Sequence, residues 1–168
     1  FYTKDELQWL IQKRSTIKDL RKATINTDIA GRPYQLEAIK RVAETFVTDG
    51  GNGICGNKRR ALLVMATGSG KTRTAAALVD VLFKNNWVKR VLFLADRNAL
   101  VRQAKNNFNE YLPDLSSINL TEEKENDTTR LVFSTYPSMM TKIDNIRTAE
   151  ERGCGVGHFA LIIVDDAH

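Results

Sequence analysis

The sequence is poor in cysteine and contains no long apolar run. Its two cysteines, Cys55 and Cys154, stand far apart in 168 residues and lack metal-ligand spacing, which argues against a disulfide framework and favours a reducing compartment. No apolar segment approaches the roughly 20 residues that a membrane span needs. The opening residues lack the basic start and apolar block of a signal peptide. We therefore expect a cytoplasmic protein without a membrane partner.

Internal repeats and low-complexity tracts are also missing, which leaves a sequence of ordinary globular composition. Hydrophobic residues make up 42% of the chain, both charge signs are mixed along it, and the length suits one domain with a sizeable core. The net charge of +5 mildly favours a polyanionic partner. Many proteins that bind no nucleic acid carry a similar charge, so this observation alone decides little.

Apolar runs alternate with helical patterns from residue 61 onward. Strands are predicted at 61–66, 88–95, 116–120, 130–135 and 159–164, and helices at 71–86, 97–112 and 137–146. They follow helices predicted at 3–14 and 34–48 and a flexible, basic loop at 49–60. Continuous apolar strands between helices indicate an α/β fold with a parallel sheet covered by helices on both faces. Ligands bind such sheets at the carboxyl ends of the strands.

The segment MATGSGKT, residues 65–72, has the composition of a phosphate-binding loop between a strand and a helix. Gly68 and Gly70 would let backbone N–H groups approach a phosphate closely. Lys71 would place its ammonium group on the outer phosphates, and the Thr72 hydroxyl would bind Mg²⁺. The general phosphate-loop pattern begins with glycine, whereas this sequence has Met65 at that position. The strand–loop–helix context nevertheless predicts a nucleoside triphosphate site.

Two adjacent carboxylates, Asp165 and Asp166, follow the last predicted strand in LIIVDDAH. Hydrolysis of a phosphoanhydride requires a carboxylate that holds the metal and a base that orients the attacking water. Adjacent residues at a strand end point to different sides, so each carboxylate can take one task. An isolated pair of this kind is more often a solvated acidic turn, but the upstream phosphate loop favours the catalytic interpretation.

Other conspicuous side chains have simpler interpretations. Met139 and Met140 are expected to be packing residues. For Arg102 and Lys105, a solvated helix face and a nucleic-acid contact remain open alternatives.

The motifs, taken in their order along the chain, resemble those of superfamily 2 helicases and translocases, the DEAD/DEAH-box group. TGSGKT and DDAH are similar to motifs I and II of that group. GRPYQLEAI at 31–39 resembles the adenine-reading Q motif, LADRNALVRQ at 94–103 resembles motif Ia, and FSTYPSM at 133–139 resembles motif Ib. The sequences at motifs Ia and Ib are most similar to those of the motor (R) subunit of type I restriction enzymes and its close relatives. The resemblance covers residues 31–168 and leaves residues 1–30 as a helical extension.

The resemblance implies the first of two RecA-like P-loop NTPase lobes, which bind ATP with Mg²⁺ and move along double-stranded DNA. It assigns nucleotide binding to Arg32, Gln35, Thr67, Gly68, Ser69, Gly70, Lys71 and Thr72, with Gln35 as the base reader. It assigns catalysis to Lys71, Asp165, Asp166 and His168, Mg²⁺ binding to Thr72 and Asp165, and nucleic-acid contacts to Arg97, Ser134 and Thr135.

The same resemblance implies partners outside this sequence. These are a second motor lobe and a nuclease domain of the same parent chain, and, for type I restriction, separate modification and specificity subunits. In the family, the strand after the DEAH motif lies between the strands bearing motifs I and II. That strand does not follow in this sequence, so we expect an incomplete lobe whose neighbouring strands are unpaired and which alone has little ATPase activity.

One departure from the family pattern concerns the second carboxylate, because the family reads DEAH and this chain reads DDAH. Aspartate is shorter by one methylene, about 1.5 Å of reach, and a general base must come within roughly 3 Å of its water. We therefore expect nucleotide binding without efficient turnover. Two other functions remain open, which are a helicase of the same superfamily outside restriction and a nucleotide-binding regulatory module.

Overall fold

The structure is a computed structural model and describes residues 4–50, 53–124, 126, 128–148 and 158–165. The chain divides into two compact units, one formed by Lys13–Trp87 and the other by Val88–His168 together with Phe1–Gln12. Within the described ranges, none of the helices combines the length and apolar character that a membrane span requires.

Five α-helices and six strands make up the regular structure of the described residues. In chain order they are α1 (Lys4–Thr16), α2 (Pro33–Phe46), β1 (Val47–Gly50), β2 (Gly53–Gly56), α3 (Lys71–Lys84), β3 (Val91–Ala95), α4 (Asn98–Tyr111), β4 (Ser117–Asn119), β5 (Leu131–Thr135), α5 (Tyr136–Thr148) and β6 (Leu161–Val164). A short 3₁₀ turn, Leu20–Lys22, lies between α1 and α2.

The unit Lys13–Trp87 is built around the contact between helices α2 and α3. Helix α2 is amphipathic and buries Ile39, Val42 and Ala43. Its first residue is proline, whose fixed φ suits the start of a helix. Helix α3 is buried along most of its length and has an alanine- and leucine-rich sequence that favours helix formation. Helix α3 therefore begins directly after the predicted phosphate loop, and α2 packs against it.

The segment 49–60, predicted to be a flexible loop, contains part of an antiparallel hairpin. Strands β1 and β2 pair with Thr48 opposite Cys55. Arg21 supports this hairpin, since its Nη2 lies 2.6 Å from Asp49 and 2.8 Å from Asp19. These hydrogen bonds lower the pKa of both carboxyl groups. Two of the glycines that suggested a loop, Gly53 and Gly56, instead lie in β2, and Gly53 has a φ of +121° that glycine adopts readily.

The strand predicted at 61–66 is not formed, and this prediction was wrong. The segment has no regular secondary structure, and Leu62 and Val64 are each 87% exposed. An apolar run predicts burial, but a strand also needs a neighbour that accepts its hydrogen bonds. Within the described chain no strand pairs with these residues.

The unit that contains Val88–His168 holds a four-stranded sheet in the order β4-β5-β3-β6, with all strands parallel. Strand β3 is central, since Val91 lies opposite Leu131 of β5 and Leu161 of β6. Within the described residues β6 pairs with β3 alone, and its Ile162 and Val164 are more than half exposed. The predicted parallel sheet is therefore confirmed, with β6 as an edge strand.

Helices cover both faces of this sheet, as predicted. On one face Phe108 of α4 packs against Phe93 and Phe133, with ring centroids 5.4–5.7 Å apart. On the other face Leu92 and Val132 form a core with Met139 of α5 and Ile118 of β4. Because neighbouring residues of a strand point to opposite faces, the pairs 92/93 and 132/133 assign α4 and α5 to different sides.

Met139 and Met140 provide a matched test of this packing, because the same substitution is buried at one position and exposed at the next. Met139 is 5% exposed and Met140 is 56% exposed. We expect Met139→Ala to lower the opening free energy of the sheet by about 2–5 kcal/mol through lost burial and a cavity. We expect Met140→Ala to change it by less than about 0.5 kcal/mol. Hydrogen exchange of the β3 and β5 amides in the intact protein measures both, and equal effects would contradict this packing of α5.

Candidate functional site

The loop before α3 has the geometry of an anion-binding site. Helix α3 begins at Lys71, directly after Gly70, whose φ is +88°, and no side chain caps its N-terminus. Its first turn contains no acidic residue. The first N–H groups of a helix have no partner inside the helix, and the helix dipole gives them positive potential. This end of α3 can therefore bind a phosphate group.

Hydrogen bonds inside the loop hold it in a tight turn. Ser69 donates to the carbonyl oxygen of Ala66 through its backbone N–H at 3.2 Å and through its Oγ at 2.6 Å. The Thr74 hydroxyl donates to the Gly70 carbonyl at 3.1 Å. Gly68 has a φ of +76°, in the left-handed region that favours glycine. Of the other predicted phosphate ligands, Thr67 is exposed and Lys71 and Thr72 are half-buried.

Gln35 joins the start of α2 to this loop. Its Oε1 accepts a hydrogen bond from the Arg32 backbone N–H at 3.2 Å, and its Nε2 donates to the Ser69 carbonyl at 3.2 Å. One partner is a donor and the other an acceptor, so this orientation of the amide satisfies both. The residue is 2% exposed. The structure thus brings the predicted base reader against the phosphate loop, with its amide facing the protein.

Gly70 is required for this contact by two separate constraints. A Cβ atom at position 70 would lie 2.5 Å from Nε2 of Gln35, closer than real Cβ contacts occur. The positive φ of the residue is also unfavourable for any side chain. Gly68 shares the second constraint but not the first, because a Cβ atom there would meet nothing within 4 Å.

Tyr34 contacts the same loop and was not among the residues predicted from the sequence. Its hydroxyl donates to the Ser69 carbonyl at 2.8 Å and accepts a hydrogen bond from Arg32 Nη1 at 2.8 Å. This second hydrogen bond raises the pKa of the Arg32 guanidinium group. The signal available in the sequence was its place beside Gln35 in RPYQ, at the first turn of α2.

The carboxyl edge of the four-stranded sheet carries the second group of predicted residues. The Asp165 backbone N–H donates to the Leu94 carbonyl at 2.9 Å, so Asp165 directly continues the pairing of β6 with β3. Arg97 follows β3, and its side chain is 80% exposed with Nε 3.5 Å from Asp96. The other predicted catalytic residues, Asp166 and His168, lie outside the described residues.

Ser134 and Thr135 end strand β5 at this edge, but their side chains point into the protein. Ser134 is fully buried and Thr135 is 6% exposed. The Thr135 Oγ1 lies 2.9 Å from the hydroxyl of Ser138 and accepts from its backbone N–H at 3.4 Å, which supports the start of α5. The arrangement leaves Arg97 as the exposed member of the three predicted nucleic-acid contacts.

Two cations on α4 are paired with acidic side chains beyond β4. Arg102 Nε lies 2.6 Å from Glu122, and Lys105 Nζ lies 2.6 Å from Glu123. A solvated helix face does not fully describe Arg102 and Lys105, because the two ion pairs connect α4 to the segment that follows β4. Exposed pairs of this kind contribute little to stability.

The metal ligands predicted from the sequence are oxygen donors, which suit Mg²⁺ rather than a softer metal. Among the residues that the structure describes, no group of three or more histidine, cysteine or acidic side chains forms a metal cage. Magnesium usually takes one or two protein oxygens and completes its coordination with water and substrate phosphates. The Thr72 hydroxyl and the Asp165 carboxylate, which belong to different units, are each an oxygen donor of this type.

Comparison with known proteins identifies the family. The family model described as "Type III restriction enzyme, res subunit" (ResIII) matches residues 28–168. The type I restriction enzyme EcoKI endonuclease subunit of Escherichia coli is 30% identical over 149 residues, which is 84% of this chain and 12% of the relative. The corresponding EcoAI subunit of Escherichia coli is 53% identical over 76 residues, 45% of this chain and 8% of the relative.

A shorter relative is the putative MpnIIP endonuclease subunit, C-terminal part, of Mycoplasma pneumoniae. It is 26% identical over 148 residues, which is 82% of this chain and 70% of the relative. The chain spans about a tenth of the length of the EcoKI and EcoAI subunits described above.

Substitution of Gly70 tests the contact between the loop and Gln35. We expect Gly70→Ala to weaken nucleoside triphosphate binding by the intact protein at least about tenfold, since it combines a left-handed backbone penalty of about 1–2 kcal/mol with a clash. Gly53→Ala is the matched control, because Gly53 also has a positive φ but a Cβ atom there meets nothing within 4 Å. Equilibrium binding measures both variants, and unchanged binding by Gly70→Ala would contradict the role of this loop.

Proposed function

The chain belongs to the res-subunit family of restriction enzymes, and on that premise we propose that it is the ATP-binding first motor lobe of a DNA translocase within a type I restriction endonuclease. The observation that carries the proposal is the glycine loop at the uncapped N-terminus of α3, held by Gln35. A helicase-like motor domain of this family explains both the parallel α/β unit and the loop.

ATP is proposed as the nucleotide because of the hydrogen-bonding capacity of Gln35. Its amide uses one hydrogen on the Ser69 carbonyl and one lone pair on the Arg32 N–H. One donor and one acceptor remain. Adenine offers an acceptor at N7 and a donor at its exocyclic amine, the pair that glutamine side chains bind. A base contact by this buried residue requires the free side of its amide to become accessible when nucleotide binds, while its hydrogen bond to the loop is kept.

For phosphate binding and hydrolysis we propose the residues that the family resemblance assigns. Backbone N–H groups of residues 68–72 and the Lys71 ammonium group would hold the β- and γ-phosphates. Thr72 and Asp165 would hold Mg²⁺, which when bound neutralises charge on the phosphates. Asp166 would orient the attacking water, and His168 would couple hydrolysis to movement of the lobes.

Double-stranded DNA is the proposed substrate along which the motor moves. The relatives are named as restriction endonuclease subunits, and the exposed Arg97 provides a cation at the carboxyl edge of the sheet. Ser134 and Thr135, which are buried and pair with β3, would support this edge of the sheet rather than contact the DNA directly. A second motor lobe and a nuclease domain of the parent chain, with modification and specificity subunits, are the proposed partners.

The aspartate at position 166 leads to a prediction about the rate of ATP hydrolysis. We expect the intact protein to bind ATP but to hydrolyse it slowly, and we expect Asp166→Glu to raise DNA-stimulated ATPase activity by about tenfold or more, because the longer side chain reaches the water. Asp165→Glu is the matched control, since the same extension at the metal ligand should lower activity. Steady-state ATPase assays with and without duplex DNA measure both.

The outcomes of this assay separate the candidate functions. If DNA stimulates the unmodified protein and Asp166→Glu equally, aspartate suffices as the base and the motor function stands. If the protein binds ATP tightly and neither form turns over, the result favours a regulatory nucleotide switch. Stimulation by RNA alone would favour a helicase outside restriction.

Arg97→Ala tests the proposed DNA contact. We expect the duplex DNA concentration at half-maximal ATPase stimulation to rise several-fold, and the salt dependence of DNA binding to fall by about one counterion. Arg41→Ala is the control, because Arg41 is equally exposed but pairs with Glu37 on α2. Equal effects of the two substitutions would remove Arg97 from the interface.

A further inference from the structure

The proposed function does not account for the hydroxyl group of Tyr34. Tyr34 is 46% exposed, yet its hydroxyl lies in a defined chain of hydrogen bonds from Arg32 Nη1 through Tyr34 to the Ser69 carbonyl, with both distances 2.8 Å. The hydroxyl therefore links the Arg32 side chain to the backbone of the loop.

Both donors on the Ser69 carbonyl come from the first turn of α2. The Tyr34 hydroxyl lies 2.8 Å and the Gln35 amide 3.2 Å from the same oxygen. A planar trans peptide points its C=O and its N–H in opposite directions. By holding the Ser69 oxygen toward α2, the two donors direct the Gly70 N–H away from α2. That N–H belongs to the set proposed to bind phosphate.

The loop needs such support because glycine on each side of Ser69 gives its backbone unusual freedom. Gly68 and Gly70 both have positive φ values, and ordering glycine costs more entropy than ordering other residues. A loop already held in its binding conformation loses less entropy when the ligand arrives. The Arg32 cation polarises the Tyr34 hydroxyl and thereby strengthens its donation to the carbonyl.

We propose that Tyr34 is a positioning residue for the phosphate loop, which orients the Ser69–Gly70 peptide for the polyphosphate group of a nucleotide independently of its base. This inference rests on the proposed nucleotide-binding function and deepens it. It also separates two neighbouring residues by role. Tyr34 acts on the phosphates through the loop, whereas Gln35 acts on both the loop and the base.

The experiment compares three ligands with the intact protein and its Tyr34→Phe variant. ATP, GTP and inorganic triphosphate share the polyphosphate but differ in the base. We expect Tyr34→Phe to raise the Kd for all three by a similar factor of about five, the loss of one hydrogen bond. In ATPase assays the KM should rise while kcat stays within about twofold, since ground state and transition state lose the same interaction. Tyr111→Phe, which removes the same oxygen from α4, is the control and should bind as the unmodified protein does.

Gln35→Ala supplies the contrasting result. We expect it to weaken ATP binding more than inorganic triphosphate binding, because it removes a base contact as well as a loop contact. Arg32→Met leaves the Tyr34 hydroxyl in place and removes only its polarising donor. We expect a smaller, base-independent loss of about twofold from this variant, which tests the proposal if Tyr34→Phe fails to fold.

Three results would overturn the inference. Unchanged Kd values for Tyr34→Phe would remove Tyr34 from loop positioning while leaving the nucleotide site intact. A loss confined to ATP would assign Tyr34 to the base. Failure of the unmodified protein to bind any of the three ligands would overturn the proposed function itself.

Discussion

Strand β3 is the constraint on which the sheet-bearing unit depends. It pairs in parallel with β5 and β6 in the same register, so Leu94 and Ala95 set the level at which both neighbours end. Its alternating side chains also supply both cores, with Phe93 directed to α4 and Leu92 directed to α5. One central strand therefore fixes where Asp165 and Arg97 emerge and which helix covers each face.

In the other unit, a single carbonyl oxygen plays the comparable role. The Ser69 oxygen accepts from Tyr34 and Gln35, both in the first turn of α2. The start of that helix is itself set by Pro33 and by the return contact of the Gln35 side chain to the Arg32 N–H. Local helix-start chemistry thus determines the shape of a loop that lies more than thirty residues later in the chain.

Local patterns predicted the parts of this molecule that depend on nearby residues. The glycine turn before α3, the helix α3 itself and the strands β3, β5 and β6 follow from spacing and apolar runs, because backbone angles and burial are encoded within a few residues. The apolar segment 61–66 shows the limit. Its composition is that of a strand, but pairing depends on a neighbour from elsewhere in the chain.

The same limit applies to side chains. Met139 and Met140 have the same chemistry, and only the docking of α5 decides that one is buried and the other exposed. Tyr34 has no unusual spacing of its own, and its contact with Ser69 becomes visible only when α2 and the loop are folded together. The glycine-rich segment that contains β2 has the composition of a loop, and the supporting contact of Arg21 with Asp49 comes from a residue far earlier in the sequence.

Because Gly70 and Gln35 approach each other closely, the two positions differ in the substitutions that they can accept. A lineage that shortens residue 35 removes the obstacle at 2.5 Å, yet glycine remains favoured at position 70 because the backbone angle of +88° is unchanged. A lineage that acquires a side chain at position 70 must instead alter both residue 35 and the path of the loop. Removing the contact with residue 35 is therefore not sufficient to admit a side chain at position 70.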